Sequence, residues 1–356
     1  MQYVQAALER AGEEPGNLDG IFGRRTERAV RAFQSSVGLR ADGIVGRLTW
    51  AALYPYLVGS TFAILQEGDT AETVAARFQT DADAIRTANA GAAWQAGETI
   101  TVPLPFEVTF QNVPYGSFLT ACVSEGLLLR YPFLAQFPIG ESVAGTRINA
   151  LRIGAGSMRV GVNATHHANE WITTPVVLLF LERYAQAFAS GTEIGGLPGQ
   201  TLYETSTLTL VPMVNPDGAD LVVGAFTEGD SFYESAKALS SFYPSIPFPS
   251  GWKANISGID LNLQYPAGWE MARVIKMRQG FTRPGPRDYV GTRPLETPEN
   301  QAMYELTRSD GYDRTIAYHT QGGEIYWDFR NLAPSGSLEL AEQFAAASGY
   351  TVADVP

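Results

Sequence analysis

The chain has 356 residues, 45% of them hydrophobic and 17% charged, with a formal net charge of −12. That composition describes a soluble globular protein rather than a disordered one, and the acidic balance argues against a nucleic-acid partner, which wants a basic face. Its single cysteine, Cys122, excludes an internal disulfide framework. The longest apolar run, Val176 to Leu181, is too short to span a bilayer, so no membrane partner is expected and the oligomeric state is left open.

The first ten residues, MQYVQAALER, lack the apolar core of a targeting segment and read as an amphipathic helix. An internal repeat follows: DGIFGRRT at 19–26 returns as DGIVGRLT at 42–49, a shift of 23 residues. Each copy is an Asp-Gly turn, a second glycine, and a threonine placed to cap a helix; after Thr26, Ala29, Val30 and Phe33 recur at helical spacing. Two similarly capped helices would explain these features on structural grounds alone. The ordered whole from Val4 to Leu53, with Phe33-Gln34 and Gly38-Leu39, resembles the peptidoglycan-binding helical module of bacterial wall hydrolases. A domain over 1–55 is expected from it. Seven Arg/Lys against six Asp/Glu leave residues 1–53 nearly neutral, so bulk charge does not repel them from an anionic wall.

Residues 60–103 form a second small unit. Phe62 to Leu65 reads as a strand, Gly68-Asp69-Thr70 as a turn and cap, Thr73 to Phe78 and Asp81 to Asn89 as helices, and Gly97 to Val102 as a returning strand closed by Pro103. This βααβ order, with QEGDT at 66–70, Ala88-Asn89 and Gly97, resembles a LysM module, which implies binding to N-acetylglucosamine-containing glycan strands.

From 106 to 356 strands and helices alternate, as in an α/β domain. Strands are expected at Leu151–Ile153, Met158–Val162 and Thr207–Val214, and the strongest helix at Trp171–Phe188. Two of the three histidines, His166 and His167, lie between the strand ending at Val162 and a helical pattern starting near Asn169. Glu170 follows His167 by three residues, which puts both side chains on one face at a helix start. A converging imidazole nitrogen and carboxylate oxygen are two of the three protein ligands a catalytic zinc takes; alone, this spacing is more often an ordinary His–Glu pair. Further along come VPMVNPDG at 211–218, GIDLN at 258–262, PRDY at 286–289 with Gly291 and PLETPE at 294–299, and TIAYH at 315–319, an apolar strand delivering the third histidine.

In this order, His167-x-x-Glu170, the Asn215 to Gly218 turn, Asp260-x-Asn262 and His319 resemble the zinc metallocarboxypeptidase family. The resemblance implies a mixed-sheet α/β/α fold, with zinc held by His167, Glu170 and His319 and water as fourth ligand. Asp260 matches the carboxylate that holds His167 in its ligating tautomer; His166 matches no ligand. Two positions depart from the digestive carboxypeptidases. Leu263 replaces the arginine that clamps a peptide's terminal carboxylate, and Lys253 stands where an arginine helps stabilise the oxyanion. The segment DLNLQYPAGW at 260–269 is most similar to the branch that cuts between γ-D-glutamate and the diamino acid of peptidoglycan stem peptides. Zinc would polarise the scissile carbonyl and acidify its bound water, Lys253 would neutralise the oxyanion and Asn262 would orient the substrate. The competing readings are a non-catalytic wall-binding protein and a zinc carboxypeptidase or deacylase of other specificity.

The resemblance also implies a glutamate general base on a late core strand. After His319 the chain offers only Glu324, in a Gly-Gly loop, and Glu339 and Glu342, in a helical pattern from Leu338 to Ala347. The domain is therefore expected to be incomplete at Pro356, with the base beyond it. Location at a bacterial cell wall or spore is expected, with the export route open.

Overall fold

The computed structural model describes residues 1–355; Pro356, at which the domain is expected to break off, lies outside them. The chain divides into two compact units, Met1–Tyr318 and the segment from His319 onward.

The first unit opens with three helices, α1 (Gln2–Arg10), α2 (Arg24–Ser36) and α3 (Arg47–Val58). The repeated threonines do not cap them. Gly23 and Gly46 occupy the cap positions, while Thr26 and Thr49 sit buried inside the first turn, with hydroxyls bonded back to the carbonyls of Pro15 and Ile44. Next come β1 (Ser60–Ile64), α4 (Ala71–Phe78), α5 (Ala82–Ala88) and β2 (Thr99–Pro103), with β1 and β2 antiparallel. Thr70 and Thr73 form a reciprocal capping box on α4, and Asp81 caps α5. Asn89 bonds Thr101 in both directions, closing α5 onto β2.

The remainder of this unit runs α6 (Ser117–Arg130), β3 (Ala135–Glu141), β4 (Arg147–Ile153), β5 (Met158–Asn163), α7 (Thr173–Ser190), a small hairpin of β6 (Glu193–Ile194) and β7 (Leu197–Pro198), α8 (Gly199–Thr205) and β8 (Ser206–Val211). Then follow α9 (Pro216–Val222), α10 (Ser231–Ser240), α11 (Trp269–Arg278), α12 (Pro298–Asp310) and β9 (Arg314–Ala317). Five strands make one mixed sheet in the order β3-β4-β8-β5-β9, antiparallel on the β3 side and parallel among β8, β5 and β9. Because side chains alternate along a strand, β4 buries Leu151 and Ile153 on the face covered by α6 and α7. Ile148 and Ala150 lie on the other face, with Met303 and Leu306 of α12. The sheet is thus mixed and helix-covered on both faces.

The core under α6 and α7 does not stop at the sheet. Val4, Leu8, Phe33, Leu53 and Leu57 of the three N-terminal helices belong to the same buried cluster as Leu119, Leu127, Val177 and Leu210. Gly126 of α6 lies so close to the end of α3 that a Cβ there would stand 2.0 Å from the Val58 carbonyl oxygen. Arg10 reaches the carbonyls of Tyr56, Glu107 and Val108 and lies over the Phe106 and Phe110 rings. Composition and spacing carry no sign of this continuity.

The second unit is a β-α-β element, with β10 (Glu324–Tyr326), α13 (Ser337–Ser348) and β11 (Thr351–Ala353), its strands parallel. Glu324, read from the sequence as a loop residue, is the first residue of β10; Glu339 and Glu342 lie on α13. Among the described residues no helix is long and apolar enough to cross a membrane.

Candidate metal centre

Strand β5 ends at Asn163, and the chain turns sharply before α7 begins at Thr173. Thr165 holds a φ of +52°, a left-handed conformation that a β-branched residue adopts only under constraint. The constraint is a web of hydroxyls. Thr165 N–H donates to Thr173 Oγ1 at 2.9 Å, and Thr165 Oγ1 pairs with the hydroxyls of Thr173 and Thr174. A 3-10 turn over Ala168–Glu170 follows. The long helix therefore starts at Thr173 rather than near Asn169 or Trp171, and His167 precedes the turn that carries Glu170.

The two side chains nonetheless converge: His167 Nδ1 lies 3.2 Å from Glu170 Oε1. On the other side of the ring, His167 Nε2 lies 3.3 Å from Asp260 Oδ1. Asp260 is buried and also accepts the backbone N–H groups of Asn262 (3.1 Å) and Asp288 (3.0 Å). Burial alone would raise its pKa, but His167 and these donors hold it down at about 2. Burial works against charge on His167 as well, yet hydrogen bonds donated by the ring to Asp260 and Glu170 push its pKa up to about 9. An imidazole between two carboxylates, one of them locked by backbone donors, suits a divalent cation on the Glu170 side. With a cation there, Asp260 would hold the ring from behind and leave Nδ1 to ligate, and a nitrogen plus a carboxylate oxygen is a zinc donor set.

Lys253 places Nζ 3.1 Å from Glu170 Oε1, with its side chain 14% exposed. Its segment is fixed on both sides, since Lys253 N–H donates to the Pro286 carbonyl and its own carbonyl accepts from Ala168 N–H. Asn262 lies in a 3-10 turn over Leu261–Leu263 with its side chain exposed. His166 engages Tyr265, Nε2 to hydroxyl at 2.8 Å. His319 opens the second unit, two residues beyond the end of β9.

Sequence reasoning quoted Asn215 as part of a turn but missed what its side chain does. Fully buried, it caps α9 by accepting Gly218 N–H at 3.1 Å and donates Nδ2 to the carbonyls of His166 (3.1 Å) and Ala254 (3.0 Å). One amide thereby pins the histidine loop to the Lys253 segment. The Asn-Pro-Asp-Gly signature was the available signal, because Asn before Pro at a helix start is a strong cap.

The zinc carboxypeptidase family profile matches residues 124–351, and a peptidoglycan binding domain profile matches residues 1–53. A gamma-D-glutamyl-L-diamino acid endopeptidase from Lysinibacillus sphaericus is 44% identical over 240 residues, covering 67% of this chain and 58% of that protein. An uncharacterized protein, YqgT, from Bacillus subtilis (strain 168) is 38% identical over 221 residues, covering 62% of this chain and 57% of its own length. The chain thus spans less than two thirds of these curated relatives. The crystal structure of thrombin activatable fibrinolysis inhibitor superposes with a TM-score of 0.51 at 19% identity, covering 67% of this chain and 58% of that one, a likeness of fold alone.

Proposed function

The chain belongs to the zinc carboxypeptidase family, and from that premise we propose that it hydrolyses peptidoglycan stem peptides between γ-D-glutamate and the diamino acid. The observation that supports the reading is His167 set between two carboxylates, Glu170 converging on Nδ1 and Asp260 on Nε2. Substrate choice is supported by the named relative from Lysinibacillus sphaericus and by the peptidoglycan-binding match at residues 1–53. Residues 60–103 are read as a LysM-like glycan-binding module on the strength of their β1-α4-α5-β2 order. Wall association, whether in the growing cell or the spore, follows from the same two segments.

His167, Glu170 and His319 make up the proposed ligand set. Chain topology favours His319 as the third member. β9 lies parallel to β5 with Ala317 paired to Asn163, and each histidine follows its strand by a few residues, where α/β folds gather their ligands. Zinc, when bound, supplies Lewis acidity toward the scissile carbonyl and the attacking water. The protein's own groups supply the rest. Asp260 orients His167, and Asn215 fixes the loop beneath it. Lys253 brings a positive charge to the side of Glu170 where negative charge on a carbonyl oxygen would build up. Asn262, exposed in the turn that follows Asp260, would orient the substrate.

The test is turnover of purified, soluble muropeptides by the zinc-loaded full-length protein, the late core strand expected to carry the general base included, followed by mass spectrometry together with metal analysis. The expected products carry a new free amine on the diamino acid. No hydrolysis at full zinc occupancy would favour a wall-binding protein without activity, and release of a C-terminal residue instead would favour a carboxypeptidase specificity.

A further inference from the structure

Two loops of the N-terminal helices are held by the same glutamine-centred network. In the first, buried Gln5 of α1 shares its Nε2 among Asp19 Oδ1, the Ile21 carbonyl and Thr26 Oγ1 at 3.1–3.3 Å, and accepts Gly20 N–H at 2.8 Å. In the second, buried Gln34 of α2 offers Nε2 to Asp42 Oδ1, the Ile44 carbonyl and Thr49 Oγ1, each at 3.0 Å, and accepts Gly43 N–H at 2.9 Å. Asp19 and Asp42 each accept the N–H of the isoleucine two residues on, at 2.9 Å. These backbone bonds, then the two glutamines, hold both carboxyls below their usual range. Gly20 and Gly43 take φ values of +78° and +75°, a conformation that favours glycine.

What the two networks hold up is the same object. Ile21 is 67% exposed and Ile44 66%. Every bond in the networks that involves an isoleucine uses its backbone, so the fold has no need of that side chain. One exposed isoleucine is ordinary. The same residue at the tip of two identically immobilised loops is a presented apolar surface, with ordering already complete before anything binds. Three residues on, each loop shows an exposed arginine, Arg24 and Arg47, at the start of α2 and α3. An apolar tip beside a guanidinium suits the carbon face of a sugar ring whose attached peptide carries carboxylates.

We propose that loops 19–26 and 42–49 are two equivalent contact sites that grip two repeat units of one peptidoglycan polymer. A duplicated site matches a repeating ligand, and occupying both multiplies weak single contacts through effective concentration. The proposal rests on the reading of residues 1–53 as wall-binding.

The experiment is retention of the full chain on insoluble peptidoglycan, comparing wild type, Ile21→Asp, Ile44→Asp, the double variant, and Val37→Asp. Val37 is an exposed apolar residue outside both loops and serves as the control. Thermal melting of all variants is measured alongside, since the substituted side chains are exposed. The expected result is a similar weakening in the two single variants, roughly tenfold or more each, a larger loss in the double, down to the retention that residues 60–103 supply, and no change in Val37→Asp. Wild-type retention with no loss in either single variant overturns the two-site inference while leaving wall binding intact. Loss confined to one loop overturns their equivalence. Failure of wild type to be retained at all removes the wall-binding reading and this inference together.

Discussion

Asn255 donates its side-chain amide to Glu299 Oε2 at 3.3 Å, tying the segment between Lys253 and Asp260 to the first turn of α12. Glu299 is fully buried, accepts Val143 N–H at 3.2 Å, and lies near Asp217, itself held by Ser142 Oγ and Ala144 N–H at 2.7 Å each. Burial, partly offset by these donors and reinforced by Asp217, pushes the Glu299 pKa up from 4.5 to about 7.

Between pH 4.5 and about 7 the folded chain therefore holds a proton on Glu299 that the unfolded chain has released, so this group's stabilising contribution falls as pH rises through that window. Glu299→Gln removes the titration. Whatever fixed offset the amide introduces, the variant should gain on wild type between pH 5 and pH 8, a tenfold difference in proton affinity between folded and unfolded chain being worth about 1.4 kcal/mol. Melting temperatures at the two pH values check this, and an equal difference at both would show that Glu299 is ionised in the fold throughout.

A second expectation concerns Asp260. Its two oxygens accept from His167 and from the backbone N–H groups of Asn262 and Asp288. Oδ1 serves both His167 and Asn262 while Oδ2 serves Asp288, so an asparagine must turn its NH₂ onto the first pair, losing ring and turn together, or onto Asp288 N–H. Zinc affinity, read by chelator competition, should drop about 10–100-fold. His167→Ala should abolish binding and His166→Ala should spare it. Unchanged affinity in Asp260→Asn would mean that His167 needs no support from behind.

The candidate site residues His167, Glu170, Asp260 and the strand-end His319 could be named before any geometry because their types and order are themselves the signal, and the fold brings the first three together. Local geometry was less so. The helix start slipped because hydrophobic spacing carries no trace of the Thr165–Thr173–Thr174 hydroxyl web that delays it. Thr26 and Thr49 were taken for caps because their true partners, Gln5 and Gln34, lie 21 and 15 residues away in the chain. Long-range continuity was invisible for the same reason. Nothing in the spacing of Leu8 or Leu53 says that they share a core with Leu127 and Leu210.

That shared core makes a third expectation. The peptidoglycan-binding match at residues 1–53 suggests a detachable module, yet α3 presses its last carbonyl onto Gly126. Gly126→Val puts atoms into space held by Val58 and Val108, overpacking that costs about 1–3 kcal/mol or more. Calorimetry of the full chain should show the α1–α3 helices and the sheet melting in one transition that moves down together in the variant. A separate early transition for the helices, with the sheet unmoved, would show that they form an independent domain.

The last expectation concerns Lys253, whose ammonium lies 3.1 Å from Glu170 Oε1. Two roles are compatible with that distance: holding the proposed ligand carboxylate in place, or stabilising charge that develops on the substrate. Lys253→Met separates them, because methionine keeps much of the stem's length and packing and removes only the charge. If Lys253 serves the reaction, kcat on muropeptides should fall about 10²–10³-fold with KM and zinc occupancy little changed. Lys253→Arg should recover part of the loss, since it restores the charge with a different donor geometry. If Lys253 merely positions Glu170, zinc affinity should change in Lys253→Met while kcat at full occupancy survives. Stopped-time product analysis at saturating zinc decides between the two, and an undiminished kcat in Lys253→Met would remove Lys253 from the reaction.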